Sequence, residues 1–71
     1  GLIKNNFKKI MKEQRITQKE LSEITGIDKS NLSIYMNNKS QPSIEFFLRI
    51  WHALDYPPLN EMLYREKSRD A

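Results

Sequence analysis

The stretch between residues 17 and 38, TQKELSEITGIDKSNLSIYMNN, constrains the fold of this chain more than any other. Thr17 is followed three positions later by Glu20, a spacing at which each side chain can satisfy the other's main-chain amide at a helix start. Apolar residues at helical spacing continue until Gly26, where a left-handed backbone is easiest. Asp28 can cap a second helix. The stretch therefore predicts two short helices, 18–25 and 29–36, joined by a tight turn as in a helix-turn-helix.

Three further helices are predicted around this pair. Apolar residues three and four positions apart indicate an amphipathic first helix over residues 2–14. Ser43 can cap a fourth helix over residues 44–54, and Pro58 can open a short last helix that ends at residue 63. No strand-like alternation lasts more than a few residues. The sequence thus predicts an all-α fold, a compact domain of five helices over residues 1–64 followed by a charged, flexible tail over residues 65–71.

Helical spacing also separates core positions from surface positions. The expected inward residues are Ile3, Phe7, Ile10 and Met11 in the first helix, Leu21 and Ile24 in the second, Leu32, Tyr35 and Met36 in the third, Ile44, Phe47, Leu48, Ile50, Trp51 and Leu54 in the fourth, and Leu59, Met62 and Leu63 in the last. The opposite side of the third helix then carries a strip of mostly polar side chains, which are Lys29, Ser30, Ser33, Ile34 and Asn37. Side chains of this length and polarity suit the edges of DNA bases.

Composition and charge narrow the class of partner. Eight of the twelve Lys and Arg residues lie in residues 1–43, against four of the nine acidic residues, so the positive charge belongs to the part that contains the two-helix unit. An ordinary solvated lysine surface would give the same totals. The chain has no cysteine, and it has no apolar run near the roughly 20 residues that a membrane span requires. A soluble, intracellular protein is expected.

The sequence TQKELSEITGIDKSNLSIYMNNKSQPS, followed by an apolar helix, resembles the phage repressor and Cro family of helix-turn-helix regulators (XRE-like). The resemblance covers residues 7–63, and its specific parts are Thr17-Gln18, Glu20-Leu21, Gly26-Ile27, Leu32-Ser33, Asn37 and Pro42. It implies a fold of the lambda-repressor-like type, with the helix-turn-helix at helices 2 and 3. It also implies that the third helix enters the major groove of operator DNA while a homodimer reads two half-sites.

The resemblance assigns roles to particular residues. Lys29, Ser30, Ser33 and Ile34 match the positions that read bases, and Gln18, Asn37, Lys39 and Gln41 match those that contact the DNA backbone. It further implies a cytoplasmic, nucleoid-associated protein, encoded by a bacterium or a phage, that acts as a transcriptional repressor. A homodimer contact is expected near Tyr56 and Leu59, because apolar residues beyond the core helix need a partner.

Several residues depart from the family pattern. Arg15 and Asn38 stand where glycine is common in the family, so both turns are expected to be slightly strained or differently shaped. Met11 and Met36 occupy positions at which many members have an ion pair between the first and third helices. Trp51 replaces a small residue, and the sequence leaves open whether it belongs to the core or to an interface.

Two other functions remain open on the sequence alone. The same domain could be the antitoxin of a toxin-antitoxin pair, holding a toxin as well as DNA, or it could be a helical protein-interaction module without DNA binding. An enzyme is not expected, because no phosphate-binding loop, catalytic triad or useful carboxylate pair can be recognised. No cofactor is expected, and His52, the only histidine, is expected to be a packed or half-exposed ring rather than a metal ligand.

Overall fold

The computed structural model of the protein describes residues 2–66. The elements in chain order are β1 (Ile3–Asn5), α1 (Phe7–Gln14), α2 (Gln18–Thr25), α3 (Lys29–Met36), α4 (Ile44–Ala53), α5 (Leu59–Met62) and β2 (Leu63–Arg65). Five helices were predicted, and the bounds of α2 and α3 agree with the prediction. No helix among the described residues is long and apolar enough to cross a membrane.

A short antiparallel sheet corrects the prediction of a purely helical fold. β1 pairs with β2 in the register Ile3 with Arg65, Lys4 with Tyr64 and Asn5 with Leu63. The first helix therefore begins at residue 7 instead of residue 2, and the last ends at residue 62. Each strand has three residues and a partner about 60 positions away, so neither leaves a periodic signal in the sequence. The fold is mostly helical with one two-stranded sheet.

The predicted tail falls only partly within the described chain. Arg65 ends β2, and the main-chain N–H of Glu66 donates to the carbonyl of Leu2 at 2.8 Å. Residues 67–71 lie outside the described residues. The division of the chain at residue 64 stays a prediction.

The core lies where α1 to α5 meet. Its fully or almost fully buried apolar residues are Phe7, Ile10, Met11, Leu21, Ile27, Leu32, Ile50, Leu54 and Met62. Partly buried residues pack around it, among them Tyr35, Met36, Phe47 and Trp51. All but one of the buried residues were expected to face inward, because helical spacing identifies the inner side of each helix. Ile27 lies in the turn after α2, outside any helical pattern.

Five residues expected to face inward are exposed instead. They are Ile3 in β1, Ile24 on α2, Ile44 and Leu48 on α4 and Leu59 on α5, with exposed fractions of 55%, 59%, 81%, 49% and 51% in that order. In α2 the inward position next to Leu21 belongs to Thr25, whose hydroxyl donates to the Leu21 carbonyl at 2.7 Å. The same hydroxyl accepts the N–H of Ile27 at 3.1 Å. The turn thus needs a polar residue inside, and Ile24 is left outside.

The helix ends follow the predicted caps in most cases. Glu20 N–H donates to the Thr17 hydroxyl at 3.1 Å and Thr17 N–H donates to the Glu20 carboxylate at 2.9 Å, which completes the capping box. Gly26 closes α2 with a φ of 73°. Arg15 and Asn38, at the positions where the family resemblance implies glycine, also adopt left-handed φ values of 58° and 57°. Both turns therefore keep the left-handed backbone that is typical of glycine, although this conformation costs free energy in a residue with a side chain.

Candidate functional site

The outer side of α3 carries the residues predicted to read bases. Lys29, Ser30 and Ile34 are exposed and Ser33 is half-buried, whereas Leu32 on the opposite side is fully buried. Residues one, four and five positions apart share one side of a helix. The structure therefore brings the four predicted residues together in one surface strip, which we call the α3 strip.

Asp28 shapes the start of α3 in a way that the sequence did not predict. Its carboxylate accepts the hydroxyl proton of Ser30, and no described main-chain N–H of the helix bonds to its side chain. The prediction of a side-chain cap at Asp28 is thus wrong, because the hydroxyl two residues later competes for the carboxylate. As a consequence, Ser30 has only acceptor lone pairs left to offer, and a negative charge lies beside Lys29.

Gln18 joins the starts of α2 and α3. Its side-chain Nε2 donates to the main-chain carbonyl of Lys29 at 2.8 Å. The carboxamide has a second N–H and a carbonyl oxygen beyond this bond. Gln18 is half-buried. Its side chain therefore fixes the two helices against each other and still has groups that can bond to a ligand.

The loop after α3 holds two of the predicted backbone contacts at the end of the α3 strip. Asn37 donates from Nδ2 to the carbonyl of Ser33 at 2.8 Å and accepts at Oδ1 from the ammonium of Lys8 at 3.5 Å. The N–H of Lys39 donates to the carbonyl of Ile34 at 3.0 Å, and the Lys39 side chain is exposed. Both residues are anchored by α3 itself, so their positions depend on the orientation of that helix.

Gln41, the remaining predicted backbone contact, has its side chain engaged within the fold. Nε2 donates to the carbonyl of Ile3 at 3.2 Å and to Oδ1 of Asn38 at 2.9 Å. Oε1 accepts from Nδ2 of Asn5 at 2.7 Å. Both amide protons and the oxygen are therefore used. This side chain can contact a phosphate only if these bonds open.

Asn5 holds the end of α3 in place and was missed by the sequence reasoning. Its main-chain N–H donates to Oδ1 of Asn38 at 2.8 Å, and its carbonyl accepts from Nδ2 of Asn38 at 3.1 Å. Its own Nδ2 donates to the carbonyl of Tyr35 at 2.8 Å. Only 3% of Asn5 is exposed. We call the three side chains of Asn5, Asn38 and Gln41 the amide clamp.

One signal in the sequence could have revealed Asn5. Asn5 and Asn6 stand directly before Phe7, and asparagine favours the positions that precede a helix. Oδ1 of Asn5 indeed accepts the N–H of Phe7 at 3.1 Å, two residues on. Because Ile3 and Phe7 are four residues apart, as on one side of a helix, the sequence wrongly predicted that α1 begins before Asn5.

The electrostatic environment of the site is basic on α1 and acidic on α2. Lys8, Lys9 and Lys12 are exposed along α1. On α2, the hydrogen bond from the Thr17 main-chain N–H lowers the pKa of the Glu20 carboxyl below its ordinary 4.5. Glu20 therefore carries its negative charge throughout the neutral pH range.

The region expected to form the dimer contact lies after α4. Tyr56 and Leu59 are 56% and 51% exposed, and the Tyr56 hydroxyl is hydrogen-bonded to Nδ1 of His52 at 2.8 Å. Trp51 is half-buried, and its indole N–H donates to the carbonyl of Pro57 at 2.7 Å. Trp51 thus holds the turn after α4. Among residues 2–66, no group of three His, Asp or Glu side chains could hold a metal ion.

Comparisons with known proteins agree with this geometry. A family model described as a helix-turn-helix domain matches residues 5–68. A crystal structure from Bacteroides fragilis, of a protein described as a proposed DNA-binding protein, superimposes with a TM-score of 0.78 at 25% sequence identity. The superposition covers 89% of this chain and 100% of that chain. No curated protein matches the sequence.

Proposed function

Because the chain belongs to the helix-turn-helix domain family, we propose that it binds operator DNA sequence-specifically and represses transcription by occupying promoter sequence. The observation that carries this proposal is the α3 strip, a row of mostly polar, exposed or half-buried side chains on a short helix whose opposite side buries Leu32. The solved structure from Bacteroides fragilis supports the proposal, because that protein is described as a proposed DNA-binding protein. In this arrangement α3 lies in the major groove and α2 crosses the DNA backbone.

The α3 strip offers distinct chemistry to each base edge. Lys29 can donate to the acceptors of guanine, and the Ser33 hydroxyl can bond to any base. Ile34, which is 39% exposed, can contact a thymine methyl group. The Ser30 hydroxyl donates its proton to Asp28, so toward DNA it can only accept a hydrogen bond. Its preferred partner is therefore a donor on the base, such as the amino group of cytosine or adenine. Recognition thus depends on both polar and apolar contacts.

Phosphate contacts would fix the position of α3 in the groove without reading sequence. Gln18 and Asn37 lie at opposite ends of the α3 strip, and Lys39 adds an exposed ammonium beyond it. Gln41 was predicted to share this role. With its side chain bonded within the amide clamp, Gln41 contributes by holding the loop that carries Lys39.

The experiment that tests the function is selection of bound sites from a random duplex pool, followed by affinity measurements on the selected site. The chain should enrich one sequence motif, and replacing Ile34 by Ala should relax preference at one base pair by about 1 kcal/mol. Ile24→Ala is the matched control, since Ile24 is an exposed isoleucine on α2. Failure to enrich any motif would refute sequence-specific binding.

Salt titration separates DNA binding from the alternative of a protein-interaction module. Lys39→Gln should weaken binding to selected and random DNA alike and lower the salt slope by about 1. Arg15→Gln, which removes one positive charge at the C-terminal end of α1, should leave the slope unchanged. Binding that does not depend on salt would favour the interaction module.

We also propose that the chain acts as a homodimer through Tyr56 and Leu59, which would place two copies of α3 about 34 Å apart along the DNA. Both residues are more than half exposed. Leu59→Asp should shift sedimentation to the monomer, while Ile44→Asp, an equally drastic change at an exposed apolar residue of α4, should not. A wild-type chain that sediments as a monomer at high concentration, both free and on DNA, would contradict the dimer.

A further inference from the structure

A basic hollow lies beside the end of α3, outside the predicted site. It is open, measures about 530 Å³, and is bordered by Lys8, Lys9 and Lys12 of α1 and by Met36, Asn38 and Tyr64. The three lysines lie on one side of α1, whose other side buries Phe7, Ile10 and Met11 in the core. The burial of the apolar side therefore fixes the direction in which the lysines point. We call the three side chains the α1 lysine surface.

No carboxylate neutralises this surface within the described chain. Among residues 2–66 the ion pair of the structure joins Arg49 and Glu45 on α4, and none of the three lysines lies within 4 Å of an acidic oxygen. Glu13, one helical turn after Lys9, is the acidic residue of α1 and does not pair with it. The positive charges therefore remain available to an anionic partner.

The α1 lysine surface is continuous with the proposed phosphate contacts. The Lys8 ammonium is 3.5 Å from Oδ1 of Asn37, the residue that ends the α3 strip. Lys12 lies one turn further along α1, about 6 Å away by helix geometry. A DNA strand that meets Asn37 can thus continue onto Lys8 and then Lys12.

We propose that the α1 lysine surface binds the phosphate backbone that flanks the base pairs read by α3, so that the DNA contact extends beyond the sequence-specific site. This inference rests on the proposed function. The flank is held by charge alone, so it adds affinity and salt dependence without adding sequence preference. Tyr64, which is 46% exposed at the border of the hollow, can add a hydroxyl donor to the same backbone.

The test compares two duplexes, one that ends at the selected site and one extended by a helical turn of random sequence on each side. The variant Lys8→Gln/Lys12→Gln should lower the salt slope on the extended duplex by about 2, at roughly 0.9 per lost contact, and by less on the short duplex. Lys8→Arg/Lys12→Arg keeps both charges and should bind as the wild type does. Because both lysines are exposed, their replacement should leave the unfolding midpoint unchanged.

A matched control separates position from total charge. Arg15→Gln/Arg49→Gln also removes two positive charges, one at the end of α1 and one on α4. This variant should leave the salt slope of DNA binding unchanged. An unchanged slope in the lysine variant, while Lys39→Gln still lowers it, would overturn this inference and leave the proposed function standing. An equal loss in the control would also overturn it, since the effect would then come from net charge. Absence of DNA binding in the wild type would overturn both.

Discussion

Replacing Asn5 by Ala tests whether the amide clamp stabilises the fold. The substitution removes a carboxamide that is 3% exposed, donates to the Tyr35 carbonyl at 2.8 Å and to Gln41 Oε1 at 2.7 Å, and accepts the Phe7 N–H at 3.1 Å. The main-chain bonds between Asn5 and Asn38 do not need the carboxamide and can remain. The change is therefore confined to three hydrogen bonds.

The three bonds differ in what their loss costs. Phe7 N–H lies in a fully buried residue, and leaving it without an acceptor costs about 1–3 kcal/mol. The Tyr35 carbonyl keeps a second donor, the Asn38 N–H at 3.0 Å, and Gln41 is only half-buried, so each of these losses costs about 0.5–1 kcal/mol. The three losses together cost about 2–5 kcal/mol. That is a large part of the roughly 4–10 kcal/mol that stabilises a domain of this length.

Urea denaturation followed by Trp51 fluorescence measures the free energy of unfolding, and an unchanged m-value would show that the denatured state is not altered. Asn6→Ala is the matched control. Asn6 is the next residue, and the hydrogen bond from its Nδ2 to the Glu61 carbonyl, at 3.0 Å, is exposed, so its loss should cost less than about 1 kcal/mol. Equal stabilities for the Asn5 and Asn6 variants would refute the reasoning.

Three further changes test separate parts of the fold. Arg15→Gly should raise the free energy of unfolding by about 0.5–1 kcal/mol in thermal denaturation, because glycine adopts the φ of 58° without strain; a lower midpoint would contradict this. The Glu20 pKa is lowered in the fold, so its contribution to stability is present above pH 4.5 and is lost as the pH falls through the folded pKa. The stability difference between wild type and Thr17→Ala should therefore narrow on acidification, and a constant difference would contradict the capping box. Trp51→Phe removes the hydrogen bond to the Pro57 carbonyl and should lower the free energy of unfolding, measured by circular dichroism, by about 1 kcal/mol. An unchanged free energy of unfolding would show that this bond does not hold the turn.

The elements predicted correctly from the sequence are those with local signals. The bounds of α2 and α3 follow from caps and periodicity within about 20 residues, and the capping box at Thr17 and Glu20 was confirmed in detail. At Arg15 and Asn38 a difference in shape was one expectation, and both residues instead keep the left-handed conformation that glycine would adopt. Local signals were sufficient for the bounds of α2 and α3, although they did not reveal the contact of Ser30 with Asp28.

Most of the features that escaped prediction depend on distant residues. The two strands define each other across about 60 positions, and Asn5 bonds to residues about 30 positions away. Thr25 is a local exception, because its hydroxyl bonds to Leu21 and Ile27 and so takes the inward place expected for Ile24. For the candidate site, spacing alone located the α3 strip, but it could not show that Gln41 is engaged by Asn5 and Asn38.

The pairing of β1 with β2 has a consequence for the order of folding. Contacts between residues far apart in sequence close a long loop and therefore form late, after the local helices and turns. The strand pair from Ile3 with Arg65 to Asn5 with Leu63 is such a contact, and Asn5 also holds the end of α3. During synthesis the chain can form α2 and α3 long before Leu63 to Arg65 leave the ribosome. The C-terminal end of α3 would then reach its final position only when β2 pairs with β1. A partly made chain would thus have both helices of the helix-turn-helix before α3 is fully in place.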